Sequence, residues 1–249
     1  MAFNLLKDTK IHDSFKDFFN NPKVINQLNL IEKELTNQEA KGYIITPKST
    51  QILRFAQQNL NEIKCIPLGM DPYPAENMAT GRAFEPGNLE SFNSAYRQVS
   101  MKNILRSIFL AHNGISISYP DLKVKMEEGK FISDRAKFFN ETEKRGVLYL
   151  NTALTYPINP SNLPKINNIS LWRPFTELLI EYICKNNPNI IWGLWGNKAK
   201  NFSSIITDIY EKENRIPIIK EAKHPRMESF ITDAVDFFNN SNVDWYIIP

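Results

Sequence analysis

Four short apolar runs, at residues 63–68, 147–150, 190–194 and 215–219, limit the fold of this chain more than any other feature. Each has the length of a buried strand. Helical patterns over 101–111, 174–184 and 198–210 separate them. Strands alternating with helices predict a parallel sheet covered by helices on both faces. The expected fold is therefore α/β: a three-layer αβα single domain over residues 1–249, built on a central, mostly parallel four-stranded sheet. Residues 1–40 are expected to form its N-terminal helical part. There Phe15, Phe18, Phe19, Val24, Ile25, Leu28, Leu30 and Ile31 recur at helical spacing. A capped helix is expected after Pro47-Lys48-Ser49-Thr50, another helix over 227–239, and a final edge strand at 245–248.

Each apolar run leads directly into a polar, punctuated peptide. The first enters Gly69-Met70-Asp71-Pro72-Tyr73-Pro74, the second Asn151-Thr152, the third Trp195-Gly196-Asn197, and the fourth Lys223-His224-Pro225-Arg226. Ligands of open parallel sheets bind beyond the C-terminal strand ends. An Asp, an Asn and a His from distant parts of the chain are thus expected in one cleft.

Several chemistries are excluded. There is no Gly-x-Ser-x-Gly nucleophile elbow. Gly69 stands alone after the first strand, so no Gly-rich loop is present to cradle a nucleotide's phosphates. Cys65 and Cys184 lie in apolar stretches, and His12, His112 and His224 show no metal-ligand spacing. Neither a metal nor a cofactor is expected. What remains is metal-free chemistry. A carboxylate orients water and stabilises an oxocarbenium ion. A neutral imidazole donates to an oxygen gaining charge. An amide reads a base edge, and an aromatic ring stacks on the base.

The net charge of +3, from 30 basic and 27 acidic residues, tolerates a basic face without demanding one. No apolar stretch reaches membrane-spanning length. The first residues lack a signal-peptide apolar region. A cytoplasmic monomer with no membrane partner is expected. Richness in Asn, Ile and Lys points to an AT-rich bacterial or viral genome. No protein inhibitor is identifiable from the sequence.

The motifs themselves carry a resemblance. Gly69-Met70-Asp71-Pro72-Tyr73-Pro74 and Ala79-Thr80-Gly81-Arg82-Ala83-Phe84 resemble the water-activating loop and stacking Phe of family 1 uracil-DNA glycosylases. The stretch from Gly146 to Thr155 is similar to that family's base-recognition strand. Trp172-Arg173-Pro174-Phe175-Thr176 is similar to its next helix start, and Leu194-Trp195-Gly196 to another strand end. His224-Pro225 resembles the opening of its DNA-wedging loop. These matches run in order over nearly the whole chain.

The resemblance implies a monofunctional DNA glycosylase acting on uracil flipped out of single- or double-stranded DNA, in base excision repair. It implies that Asp71 positions water and stabilises the cationic sugar, and that His224 stabilises the departing base. Asn151 would read the base edge and Phe84 would stack on it. Tyr73 would exclude a thymine methyl, and backbone N–H groups near Met70 and Asp71 would contact the base. Ser100 would touch one phosphate, and Arg226 and Ser229 others. Met227 is the expected wedge into the base stack, with Glu228 the alternative by strict alignment. Three departures stand out. Met70 and Pro74 occupy places where the family usually has Gln and His, as in the superfamily's single-strand-selective monofunctional branch. Residues 85–99 replace a shorter proline-rich stretch. Glu228 stands where the family's intercalating Leu is found. Three alternatives stay open: a glycosylase for a modified base, a catalytically weak DNA-binding or replication-associated relative, and an enzyme of free nucleosides.

Overall fold

Two strands that are buried along their whole length organise the molecule. The computed structural model describes residues 3–160 and 163–249. In chain order the strands are β1 (Ile44–Thr46), β2 (Cys65–Gly69), β3 (Leu150–Asn151), β4 (Tyr156–Ile158), β5 (Ile191–Trp195) and β6 (Ile218–Ala222). β2 and β5 lie side by side at the centre of a parallel sheet of order β3-β2-β5-β6. β1 and β4 form a separate antiparallel pair.

Side chains alternate between the two faces of the sheet, as the pleat requires. Ile66, Leu68, Trp192 and Leu194 join the core beneath the helices Pro22–Ala40, Ile169–Asn186 and Ser203–Lys212. Cys65, Ile191 and Trp195 join the opposite core, with the helices Val99–Asn113, Tyr119–Glu127, Arg135–Lys144 and Val235–Asn240. Gly193 faces this second layer so closely that a Cβ there would lie 2.8 Å from the Phe237 ring. The three-layer architecture is the expected one.

Several boundaries differ from expectation. β6, expected at the apolar run 215–219, lies at Ile218–Ala222, shifted by three residues, with Ile218 opposite Ile191. Ile216 is left 89% exposed. An edge strand is solvated on one side and tolerates Lys220 and Glu221, so hydrophobicity marked its position poorly. Residues 245–248 make no ladder. Trp245 and Ile247 are buried there, and the Ile247 carbonyl accepts the Ile132 N–H at 2.9 Å.

The helix expected at 174–184 begins earlier, at Ile169, and holds Pro174 inside it. Its first turn is pinned from outside. Trp172 Nε1 donates to Thr155 Oγ1 at 2.7 Å, and Asn168 links Thr155 to Gln38. The pattern at 198–210 divides into Asn197–Lys200 and Ser203–Lys212, and that at 227–239 into Phe230–Asp233 and Val235–Asn240. Helices at Tyr119–Glu127 and Arg135–Lys144 had no counterpart in the sequence reading, although Ser118 and Asp134 cap them. Among the described residues, no helix is long and apolar enough to cross a membrane. Nor does any cluster of three or more His, Cys, Asp or Glu side chains offer a metal site.

Candidate active site

The C-terminal ends of β2 and β3 close on each other at Gly69. A Cβ at this position would sit 2.2 Å from Asn151 Oδ1 and 2.8 Å from Ala83 Cβ, so only glycine lets the three segments meet. Beyond it the two strand ends are stitched together. The Thr152 N–H donates to the Gly69 carbonyl at 2.9 Å. The Met70 carbonyl accepts both the Ala153 N–H and the Thr152 hydroxyl, each at 2.8 Å. Asn151 is thereby buried at the base of a cleft. Among the described residues, no group hydrogen-bonds its side-chain amide.

That cleft is a cavity of about 210 Å³ lined by Met70, Asp71, Pro72, Tyr73, Pro74, Arg82, Phe84, Ser100, Asn151, His224 and Arg226. It is smaller than the roughly 300–1,000 Å³ that hold drug-sized ligands, which suits one heterocycle. A larger groove of about 670 Å³ lies far from these strand ends, beside Pro174, Leu178 and Ile209. Its lining carries Asn26, Gln27, several carboxylates and several lysines, but no histidine and no aromatic ring to hold a base.

Two titratable groups in the cleft are shifted in opposite senses. Burial raises the Asp71 carboxyl to about 6. Burial, helped by the positive charge of Arg226, lowers the His224 imidazole. His224 stands at the cavity mouth and keeps substantial solvent contact, so the imidazole feels this pull only partly. Its Nδ1 accepts the Arg226 N–H at 3.1 Å. Nε2 therefore carries the proton in the neutral ring and is left to donate. Gly196 makes room for it. At φ +85° a Cβ on Gly196 would press within 2.9 Å of His224 Cβ. The end of β5 thus seats the histidine that follows β6.

Phe84 holds a left-handed backbone at φ +67°, which is uncommon for a bulky residue. Its ring lies 5.4 Å from that of Trp195. Its carbonyl accepts the Tyr73 hydroxyl at 3.1 Å, so Tyr73 and Phe84 are fixed relative to each other.

Two of the sequence-derived site residues lie outside the cavity lining. Met227 is 54% exposed, in the turn that precedes Phe230–Asp233, and Ser229 lies in the same turn. This loop is fastened to the helix Val99–Asn113. Buried Asn103 donates to the Pro225 carbonyl at 2.8 Å, and buried Ser107 donates to that of Ile231 at 2.8 Å. Glu228 pairs with Arg106 at 2.7 Å. Arg82 lines the cavity and was not singled out from the sequence. The signal available was a charged residue set between Gly81 and Ala83, in an otherwise apolar and small motif.

Known proteins share this arrangement of segments. A uracil-DNA glycosylase of Francisella philomiragia is 29% identical over 211 residues, covering 84% of this chain and 83% of its own. One of Campylobacter concisus is 27% identical over 222 residues, covering 88% and 82%. The chain is thus similar, over more than four fifths of its length, to proteins named uracil-DNA glycosylase. No protein-family model matches the chain. The wild-type UNG crystal structure from Nitratifractor salsuginis shares its fold with a TM-score of 0.72 at 20% identity, over 98% of this chain and 96% of that one. Mimivirus uracil-DNA glycosylase does so with a TM-score of 0.65 at 21% identity, over 90% and 72%. At such identities the structural likeness speaks of the fold alone.

Proposed function

We propose that the protein is a monofunctional DNA glycosylase that hydrolyses the N-glycosidic bond of uracil everted from DNA. One observation carries this reading: Asp71, Asn151 and His224, far apart in sequence, line the same small cavity. The names of the curated relatives point to uracil.

In this reading the everted base enters between Phe84 and the Met70–Tyr73 loop, as base-directed enzymes require. The Asn151 amide, unpaired among the described residues, meets the base edge. The bond from C1′ to the base breaks with its electron pair leaving on the base. The ionised Asp71 stabilises the cationic sugar and orients the water that adds to C1′. The His224 Nε2–H donates to the base oxygen that gains charge. Ser100, Arg226 and Ser229 hold phosphates, which positions the duplex without reading its sequence. Because Glu228 is engaged by Arg106, the exposed Met227 is the residue free to wedge into the stack.

The direct test is abasic-site formation on oligonucleotides carrying uracil, 5-substituted uracils and modified cytosines, with and without chelator. Uracil should be cleaved in both conditions. Cleavage of a modified cytosine alone would replace this substrate with another.

Two further results are expected. As pH falls below 6, kcat/KM for uracil should drop about tenfold per unit, because Asp71 takes up a proton. Burial and the charge of Arg226 lower the His224 imidazole, which favours its neutral form as pH falls. A profile flat to pH 5 would remove Asp71 from the reaction. Tyr73→Ala opens the space beside the base, so thymine excision should rise by about 10–100-fold over wild type. Unchanged rejection of thymine would show that another group excludes the methyl.

A further inference from the structure

Beneath Phe84 lies a chain of buried charges that the reaction itself does not use. Glu85 is 1% exposed and Arg82 8% exposed. Arg135 Nη1 pairs with Glu85 at 2.5 Å, and Arg82 Nη1 pairs with Glu85 at 3.2 Å. Arg82 also pairs with Glu143, and Arg54 reaches Glu143 at 3.2 Å. Positive and negative groups alternate along Arg135, Glu85, Arg82, Glu143 and Arg54. Hydrogen bonds brace both sides of the chain. The Thr80 hydroxyl donates to Glu85 at 2.6 Å, Arg82 Nη2 to Asn140 at 2.8 Å, and Arg135 Nε to the Leu89 carbonyl at 2.8 Å.

Buried ion pairs give up hydration and stabilise a fold weakly, if at all. Their value lies in fixing geometry, and here the geometry concerns one residue. Arg82 and Glu85 flank Ala83 and Phe84. Each is tied to the helix Arg135–Lys144, through Glu143 and Asn140 for Arg82 and through Arg135 for Glu85. Between them the backbone turns through the left-handed region at Phe84, a conformation a phenylalanine holds only when its surroundings impose it.

We propose that the Arg82–Glu85 pair, anchored by Glu143 and Arg135, is a positioning device that keeps Phe84 in its left-handed conformation as a preformed platform for the base. This rests on the reading of Phe84 as the stacking residue. Glu85 lies outside the cavity lining, and Arg82, which borders the cavity, spends its guanidinium on Glu85, Glu143 and Asn140. The pair acts through the backbone on either side of Phe84, so binding an everted base does not have to reorganise the segment.

Removing the pair together leaves the net charge unchanged, so Arg82→Met/Glu85→Met is the variant of choice. In its crystal structure Phe84 should relax to a negative φ with its ring displaced. Its kcat/KM for uracil should fall about tenfold in the Phe84 background and less than about twofold in a Phe84→Ala background, the signature of two groups acting as one. A Phe84 unmoved in the variant crystal, or equal losses in both backgrounds, overturns the proposal. Thr80→Val, which deletes the hydroxyl's bonds to Glu85 and to the Arg82 N–H, is read in the same two ways should the double variant fail to fold. The crystallographic arm needs no catalysis. A wild type inactive on uracil, with Phe84 shifted in the variant, would therefore defeat the proposed function and leave this inference standing.

Discussion

Asp71→Asn is expected to slow uracil excision by about a thousandfold or more while making the protein more stable at pH 7. The two effects have one cause. Burial raises the Asp71 carboxyl from 3.8 to about 6, and no opposing charge lowers it. The folded protein therefore binds that proton more tightly than the unfolded chain does. The ionised carboxylate destabilises the fold at every pH above 6, and the penalty disappears as pH falls below 3.8. At pH 7 it amounts to about 1–2 kcal/mol, once solvent screening at its partly exposed oxygens is allowed for. Asparagine keeps the shape and removes the charge. For a chain of this length the melting temperature should rise by roughly 2–6 °C at pH 7 and not at all at pH 3.5. Single-turnover excision and calorimetry check the two halves separately. Excision within tenfold of wild type would remove Asp71 from the chemistry. A lowered melting temperature would show that its charge is compensated in the fold.

Much of this site was legible because strand ends announce themselves. An apolar run followed by Gly69-Met70-Asp71-Pro72 changes character within two residues, and the same holds before Asn151. β2 and β5 are buried on both faces, so hydrophobicity located them to within two residues. β6 escaped that logic because an edge strand is held by backbone pairing to β5, which composition does not record. The long patterns at 198–210 and 227–239 concealed breaks for a related reason. Periodicity reports which face is buried, and it is blind to a turn that preserves that face. Arg82 and Glu85 were opaque for a different reason. Their meaning lies in Glu143 and Arg135, some 50–60 residues on, and only the folded chain brings those partners near. The role of Gly196 is likewise visible only once His224 is seen against it. Local chemistry can be read from neighbours in sequence, whereas support from below must be read in space.

The second large effect concerns the imidazole. His224→Leu should lower kcat for uracil by about 10²–10³-fold with KM little changed, since the lost hydrogen bond strengthens only as the base departs with its electrons. The loop does not depend on this ring for its stability. Asn103 and Ser107 hold it through the carbonyls of Pro225 and Ile231, so the melting temperature should stay within about 1–2 °C of wild type. The pH profile separates this residue from Asp71. In His224→Leu the fall below pH 6 should persist at the lower rate, because it belongs to the carboxylate. In Asp71→Asn the same limb should vanish. Were the limb to disappear with the histidine instead, the imidazole would be the group that titrates. Protonation at Nδ1, which accepts the Arg226 N–H in the neutral ring, would then be the inactivating event, and the acid limb would no longer report on Asp71.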